Sequence, residues 1–290
     1  MVAILVWNDD YGMLPDRLDD CPDECRLIHD RSLIAEADAV IFHIPSLRDP
    51  IAELPKPPGQ RWVAWSMESD ANYPVLTDPA FMRHFDLTMT YRRDADIWVP
   101  YLQSDLLDPG EVTSRSARSS TGTAHAVYIA SNPFSPSRRD DYVRELMHHM
   151  AVDAYGQCLS NRRWPTDDQG RATKLDTIAQ YPFTLAFENS ITDDYVTEKF
   201  FDPFTVGSVP VYLGAQNIAD FAPGEHCFVD VTAFSGPREL AAYLLDLVAD
   251  PAAYGEYHSW RAQGAGPAYR AMIDQLSPHP LCRLARLLAT

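Results

Sequence analysis

Lysine is nearly missing from this chain, with three in 290 residues. Basic side chains number 24 against 41 acidic ones, a formal net charge of −17. Such a surface is unsuited to nucleic acid or an anionic membrane, so any anionic ligand must be met by local cations. No apolar run approaches the roughly 18 to 20 residues of a membrane span. The N-terminal MVAILVWND is too short for a signal peptide and lacks its basic lead, so the expectation is a soluble, cytoplasmic protein. The five cysteines are odd in number and scattered, which fits reduced thiols rather than a disulfide frame. Neither Cys21 with Cys25 nor Cys282 beside His279 has the second matched pair of a zinc site, and no metal site is expected. None of the 13 glycines supplies a G-x-G-x-x-G turn after a first strand, which counts against a dinucleotide-dependent oxidoreductase or epimerase. There is no internal repeat of solenoid length.

What is present is a sizeable apolar fraction, 46%, arranged in short runs. VAILVW (2–7), AVIFHI (39–44) and WVAWSM (62–67) read as buried strands of a first α/β half. In a second half AVYIAS (126–131), VDAYG (152–156), TLAFE (184–188), VPVYLG (209–214) and CFVDV (227–231) are strand candidates. Helical patterns at 138–150, 197–206 and 237–249 interleave with them, as in a doubly wound sheet. Residues 104–123 carry almost no apolar content after Leu107 and read as a mobile linker. The segment after residue 252 reads as interrupted helix, and LCRLARLLA can bury one face. The expected division is 1–123, ending in the linker; 124–265; and a helical tail, 266–290.

The stretch FTLAFENSITDDYVTEKFFDPFTVGSVPVYLG, residues 183–214, carries the most chemistry. Two apolar runs flank Glu188, Asn189, Tyr195, Glu198 and Lys199. Thr197 can cap a helix with Glu198 and Lys199 in its first turn. A helix start with a lysine, facing the carboxyl ends of a parallel sheet, suits a phosphate; the plainer reading is a βαβ unit whose charges only solvate a helix end. Pro203, inside that helix, is expected to kink it. Three further segments stand out. Glu68 follows a buried strand, where it can act as a general base or merely cap the Ser69–Asn72 turn. Asp94 and Asp96 form an Asp-x-Asp that can hold a metal or serve as structure. Arg138 and Arg139 open a helix after a Pro-containing loop, suited to phosphate or to a salt bridge with Asp140 or Asp141.

In order and spacing these four segments resemble glycosyltransferase family 10, the α-1,3/4-fucosyltransferases, over about residues 60 to 235. FENS, the six-residue step from Asn189 to Tyr195, and YVTEK before VPVYLG are similar to the family's donor-binding signature. WSMES, YRRDADIWVPY and SNPFSPSRRDDYV resemble its other motifs. The resemblance implies an α/β fold of GT-B type, two Rossmann-like domains facing a central cleft, in a soluble, bacterial-type chain. The first would take the acceptor and the second GDP-fucose. The implied activity is inverting transfer of L-fucose to a glycan, at O3 of an N-acetylglucosamine in a Lewis-type, N-glycan-core or chitooligosaccharide acceptor. Glu68 would be the catalytic base. Arg138 and Lys199 would neutralise the departing diphosphate, while Glu198, Asn189, Tyr195 and Glu188 would hold the nucleotide or sugar. With cations in that role no divalent metal is required, though one can stimulate. A homo-oligomer is compatible with this reading; another GDP-sugar transferase, a glycosidase using Glu68 with Glu188, and a non-catalytic glycan-binding module remain as alternatives.

Overall fold

The structure is a computed structural model that describes residues 1–9, 12, 14, 21, 25–107 and 124–289. The chain divides into two compact units, Met1–Pro100 with Asp274–Thr290, and Tyr101–Ile273. The segment read as a linker at 104–123 begins with a 3-10 turn, Ser104–Leu107; the rest of it lies outside the described residues.

The first unit holds strands β1 (Val2–Asn8), β2 (Cys25–Ile28), β3 (Ala39–His43), β4 (Arg61–Ser66), β5 (Leu87–Thr90) and β6 (Ile97–Trp98), with the short helix α1 (Pro79–Met82) before β5. They form one sheet in the order β2-β1-β3-β4-β5-β6, every pairing parallel. Strands β1, β3 and β4 are buried along nearly their whole length, as expected of central strands covered on both faces. Phe42 on β3 anchors the aromatic core, its ring 5.0 Å from Trp62 and 5.7 Å from Trp7.

The second unit holds β7 (Ala126–Ala130), α2 (Arg139–Leu146), β8 (Val152–Gly156), α3 (Arg171–Ile178), β9 (Phe183–Phe187), α4 (Glu198–Val206), β10 (Val209–Leu213), β11 (Val229–Asp230), α5 (Pro237–Ala249), α6 (Pro251–Glu256), α7 (Trp260–Gln263) and α8 (Pro267–Asp274). Its sheet runs β11-β10-β9-β7-β8, again parallel. The second sheet therefore follows the doubly wound order 2-1-3-4-5 and the first the same order with a sixth strand added, the chain leaving the first strand for one neighbour and returning to pair on its other side. In the second unit that reversal lies between β7 and β9, and ligands of such sheets bind beyond the carboxyl ends of the strands at this point. Gly156 ends β8 at φ 95°, and a Cβ there would meet the Ala130 carbonyl oxygen at 2.3 Å, so only glycine fits.

The tail forms helix α9 (Pro280–Leu288), which buries Leu281, Cys282, Leu284 and Ala285 and packs on β1, β2 and β6. One expectation is overturned here. Cys21 and Cys282 form a disulfide, their Cα atoms 5.9 Å apart across 261 residues of sequence. Scattered, odd-numbered cysteines argue against a frame of several bridges, but a single bridge needs only two thiols brought together. Docking of α9 against β2 does this, since Cys21 lies just before that strand. Cys25, Cys158 and Cys227 remain buried thiols.

Candidate active site

The second sheet's switch point is bounded by the loop after β7 and by the residues after β9. Strand β9 is apolar and buried throughout, and the next residue, Glu188, is fully buried. Its backbone N–H extends the sheet by donating to Leu213 O at 2.8 Å. Gly214 makes room for it, because a Cβ there would lie 2.7 Å from Glu188 Cγ.

A buried carboxylate needs partners, and Glu188 finds them at the start of α4. Thr197, the N-cap of that helix, donates its backbone N–H to Glu188 Oε1 at 2.7 Å and its hydroxyl to Oε2 at 2.9 Å. Thr197 Oγ1 in turn accepts from Lys199, from Nζ at 3.0 Å and from the backbone N–H at 3.4 Å. Lys199 Nζ lies 3.5 Å from Glu188 Oε2 and 3.4 Å from Glu198 Oε1. The helix runs unbroken from Glu198 through Pro203 to Val206 and is capped by Gly207 at φ 79°.

Charge states follow from these contacts. Burial pushes the Glu188 carboxyl above its ordinary range, against the pull of Lys199. Burial also opposes the Glu198 charge, but Lys199 and Lys174 outweigh it and hold that carboxyl down at about 2. For Lys199, burial works against the ammonium and the two glutamates outweigh it, so the lysine stays charged.

The loop after β7 is fastened to this cluster. Ser137 Oγ donates to Glu188 O at 2.6 Å, and Ser135 Oγ and Ser137 N–H both donate to Asn189 O at 3.0 Å. Asn189 is 7% exposed, and its side-chain Oδ1 has no hydrogen-bond partner among the described residues. A buried acceptor left in this way costs free energy unless a ligand or water meets it. Tyr195 is buried, its ring edge-on to Tyr101 at 6.4 Å.

The two arginines at the start of α2 part company. Arg138 takes the left-handed conformation, φ 55°, and its side chain is 81% exposed and paired with Asp141 at 2.9 Å. Arg139 is buried. Its guanidinium donates to Phe187 O at 3.1 Å and to Asn132 O at 3.3 Å, and its Nε has no partner among the described residues. It bridges the ends of both switch-point strands, close enough to Lys199 to work against that lysine's proton. The resemblance gives the donor role to Arg138; the structure places Arg138 at the surface and turns Arg139 inward.

Glu68 belongs to the first unit, two residues beyond β4. Its carboxylate accepts from Asn72 Nδ2 at 3.4 Å within the Ser69–Asn72 turn. It lines a pocket of about 310 Å³ with Asp70, Leu76, Met82, Arg92 and Asp94. Arg92 forks onto Asp94 at 2.9 and 3.1 Å and lies 3.8 Å from Asp70. Asp96 instead accepts from the Thr88 backbone and hydroxyl at 2.8 and 2.9 Å, so the two carboxylates of the Asp-x-Asp are engaged separately. Asp70 and Arg92, and in the second unit Lys174 and Asp202, were not singled out for a role by sequence. Only the scarcity of lysine pointed toward one of them.

Among the described residues no helix is long and apolar enough to cross a membrane. The family model described as Glycosyltransferase family 10 (fucosyltransferase) C-term matches residues 119–290, and the model described as Fucosyltransferase, N-terminal matches residues 1–102. The chain is 34% identical over 279 residues to GDP-fucose protein O-fucosyltransferase 3 of Canis lupus familiaris, covering 90% of this chain and 58% of the relative. It is 36% identical over 275 residues to 4-galactosyl-N-acetylglucosaminide 3-alpha-L-fucosyltransferase FUT5 of Homo sapiens, covering 90% of this chain and 70% of the relative. It spans about half, 47%, of the rat protein O-fucosyltransferase 3. A crystal structure of an alpha1,3-fucosyltransferase with GDP-fucose superposes with TM-score 0.63 at 18% identity, over all of this chain and 90% of that one, which shows the two Rossmann-like units to be of GT-B type. With both family models matched and relatives above 30% identity over most of its length, the chain belongs to glycosyltransferase family 10.

Proposed function

We propose that this chain is an inverting α-1,3-fucosyltransferase that moves L-fucose from GDP-fucose to O3 of an N-acetylglucosamine in a glycan acceptor. The observation that carries the donor half is the cluster at the start of α4, beyond the carboxyl end of β9. There Lys199, the amides of a first helical turn and the buried Arg139 gather positive charge in an acidic protein. These groups would meet the diphosphate, which gains charge as the C1–O bond to the β-phosphate breaks. Arg138, exposed and paired with Asp141, would add its charge from the loop after β7. Glu198 and Asn189 Oδ1 would accept from ribose or fucose hydroxyls, Tyr195 would shape the nucleotide pocket, and Glu188 would hold Thr197 and Lys199 from behind.

Glu68, beside a pocket at the small end of the range for ligand sites, would take the proton of the acceptor hydroxyl as its oxygen attacks C1 of fucose. In this assignment the first unit takes the acceptor and the second the donor. Cations supply the charge, so the reaction needs no divalent ion. A second acceptor class has its own support, because relatives of similar identity carry the name protein O-fucosyltransferase. The Cys21–Cys282 bridge persists in oxidising compartments and weighs against the cytoplasmic expectation.

The test is GDP release with and without EDTA, using GDP-fucose, GDP-mannose and UDP-sugars against N-acetyllactosamine, chitobiose and a Ser/Thr peptide. Release from GDP-fucose that depends on a GlcNAc-containing acceptor and survives EDTA is expected. Faster turnover with another donor, or loss of all activity on chelation, overturns the assignment; peptide-dependent release selects the second acceptor class.

A further inference from the structure

Two of the chain's three lysines meet at Glu198, and only Lys199 has a role above. Lys174 comes from α3, the helix packed against α4. Its Nζ lies 3.5 Å from Glu198 Oε1 and 2.9 Å from Asp202 Oδ2. Asp202 is fully buried and is held from its other side by Arg171 Nη2 at 2.9 Å and Gln103 Nε2 at 3.0 Å. The charges thus alternate without a break from Arg171 through Asp202, Lys174, Glu198 and Lys199 to Glu188.

This order has a physical purpose. Glu198 and Asp202 stand four residues apart on one helix, where like charges repel. Lys174 sits between them and turns repulsion into two attractions. A compact ammonium with three donors can serve both carboxylates at once, which a planar guanidinium does less readily. Because Asp202 is buried and anchored twice more, the Lys174 ammonium is fixed in place, and through it Glu198 Oε1 is fixed as well. Glu198 itself keeps 39% of its side chain exposed, so it is steadied on one side and open on the other.

We propose that Lys174 is a positioning residue for donor binding: anchored by Asp202, it fixes the Glu198 carboxylate in the orientation that accepts a hydroxyl of the sugar nucleotide. The inference rests on the reading of Glu198 as a donor contact. Lys174 touches no substrate and acts through Glu198 alone. A plain interhelical salt bridge makes a different prediction, since its loss would weaken the fold without selecting among kinetic constants.

The test uses the full chain with GDP-fucose and the acceptor found above. Lys174→Met alone leaves Asp202 short of a partner, so the informative variant is Lys174→Met with Asp202→Asn, which removes both charges of the 2.9 Å pair together. The expected result is a KM for GDP-fucose raised about tenfold, the scale of one lost charged hydrogen bond, with kcat and acceptor KM within about twofold. In a Glu198→Gln background the same pair of changes should leave KM for GDP-fucose unmoved, because the group being positioned is already gone. An unchanged donor KM in a folded double variant overturns the proposal, as does an equal effect in both backgrounds. If the unaltered protein releases no GDP from GDP-fucose with any acceptor, the parent reading has failed instead.

Discussion

The second unit's charge cluster and the first unit's pocket are both built from carboxylates and cations at the ends of parallel strands, yet they are built differently. Glu188 and Asp202 are fully buried, and each carboxylate there lies against at least one ammonium or guanidinium. Glu68 instead lines a pocket of the first unit together with Asp70, Arg92 and Asp94, and accepts from Asn72 at 3.4 Å. A leaving group that gains charge as its bond breaks is best met by cations and dipoles fixed in advance, since nothing then has to reorganise as the charge develops. A base must change its own charge during the reaction, and a carboxylate clamped between ammonium groups resists that. Glu198, held at about 2 by Lys199 and Lys174 against its burial, is a poor proton acceptor. Glu188 is enclosed on every side. By this comparison the buried cluster offers anchored cations to an anion, while Glu68 offers a carboxylate that lines a pocket.

The sharpest way to break the contrast is at its catalytic end. Glu68→Gln should lower kcat by about 10² to 10⁴, the ordinary contribution of a general base, while the unfolding free energy from urea titration stays within about 0.5 kcal/mol of the unaltered protein. Retention of more than a tenth of the activity would assign the base elsewhere. Glu188→Ala should do the reverse in emphasis. It strands Lys199 and frees the Thr197 cap, and breaking a buried pair from one side costs about 3 to 5 kcal/mol. Urea unfolding of that variant measures the cost; a change below about 1 kcal/mol would mean that the cluster is solvated like a surface pair.

Much of this was legible in the chain. The apolar runs at 2–7, 39–44, 62–67, 126–131 and 209–214 became interior strands, and 152–156 became the edge strand β8, because each is apolar enough to be covered on both faces along most of its length. Strands β5 and β6 escaped notice: Leu87–Thr90 keeps only Met89 fully buried, and β6 is two residues long. Helix α3 escaped too, since only Thr177 and Ile178 are buried on it, leaving a weak apolar stripe. At the site, Thr197 was readable as a cap because its position before Glu198 and Lys199 is local information. Lys174 was not, because its partners lie 24 and 28 residues away on another helix and only the packing of α3 on α4 joins them. The burial of Arg139 beside an exposed Arg138 likewise depends on which of two adjacent side chains turns inward, and the disulfide on where α9 docks.

The smallest effect expected is one of pH, and it separates the two glutamates of the cluster. Glu198 has its carboxyl held at about 2 in the folded protein against an ordinary value of 4.5. A depressed folded pKa adds stability that is complete above the unfolded value and fades as pH falls toward the folded one. Glu188 is shifted the other way by burial, so its contribution is largest at low pH and is lost as pH rises through its folded pKa. The unaltered protein should therefore melt above Glu198→Gln at about pH 6, with the gap narrowing steadily as pH drops through about 4.5 toward about 3. Because Glu198 is more than a third exposed, solvent screens it and the gap should amount to a few degrees at most. A gap that is constant over this range would mean that Glu198 is no more ionised in the fold than in the unfolded chain. The alternation of charge from Arg171 to Glu188 would then be geometry without electrostatic consequence.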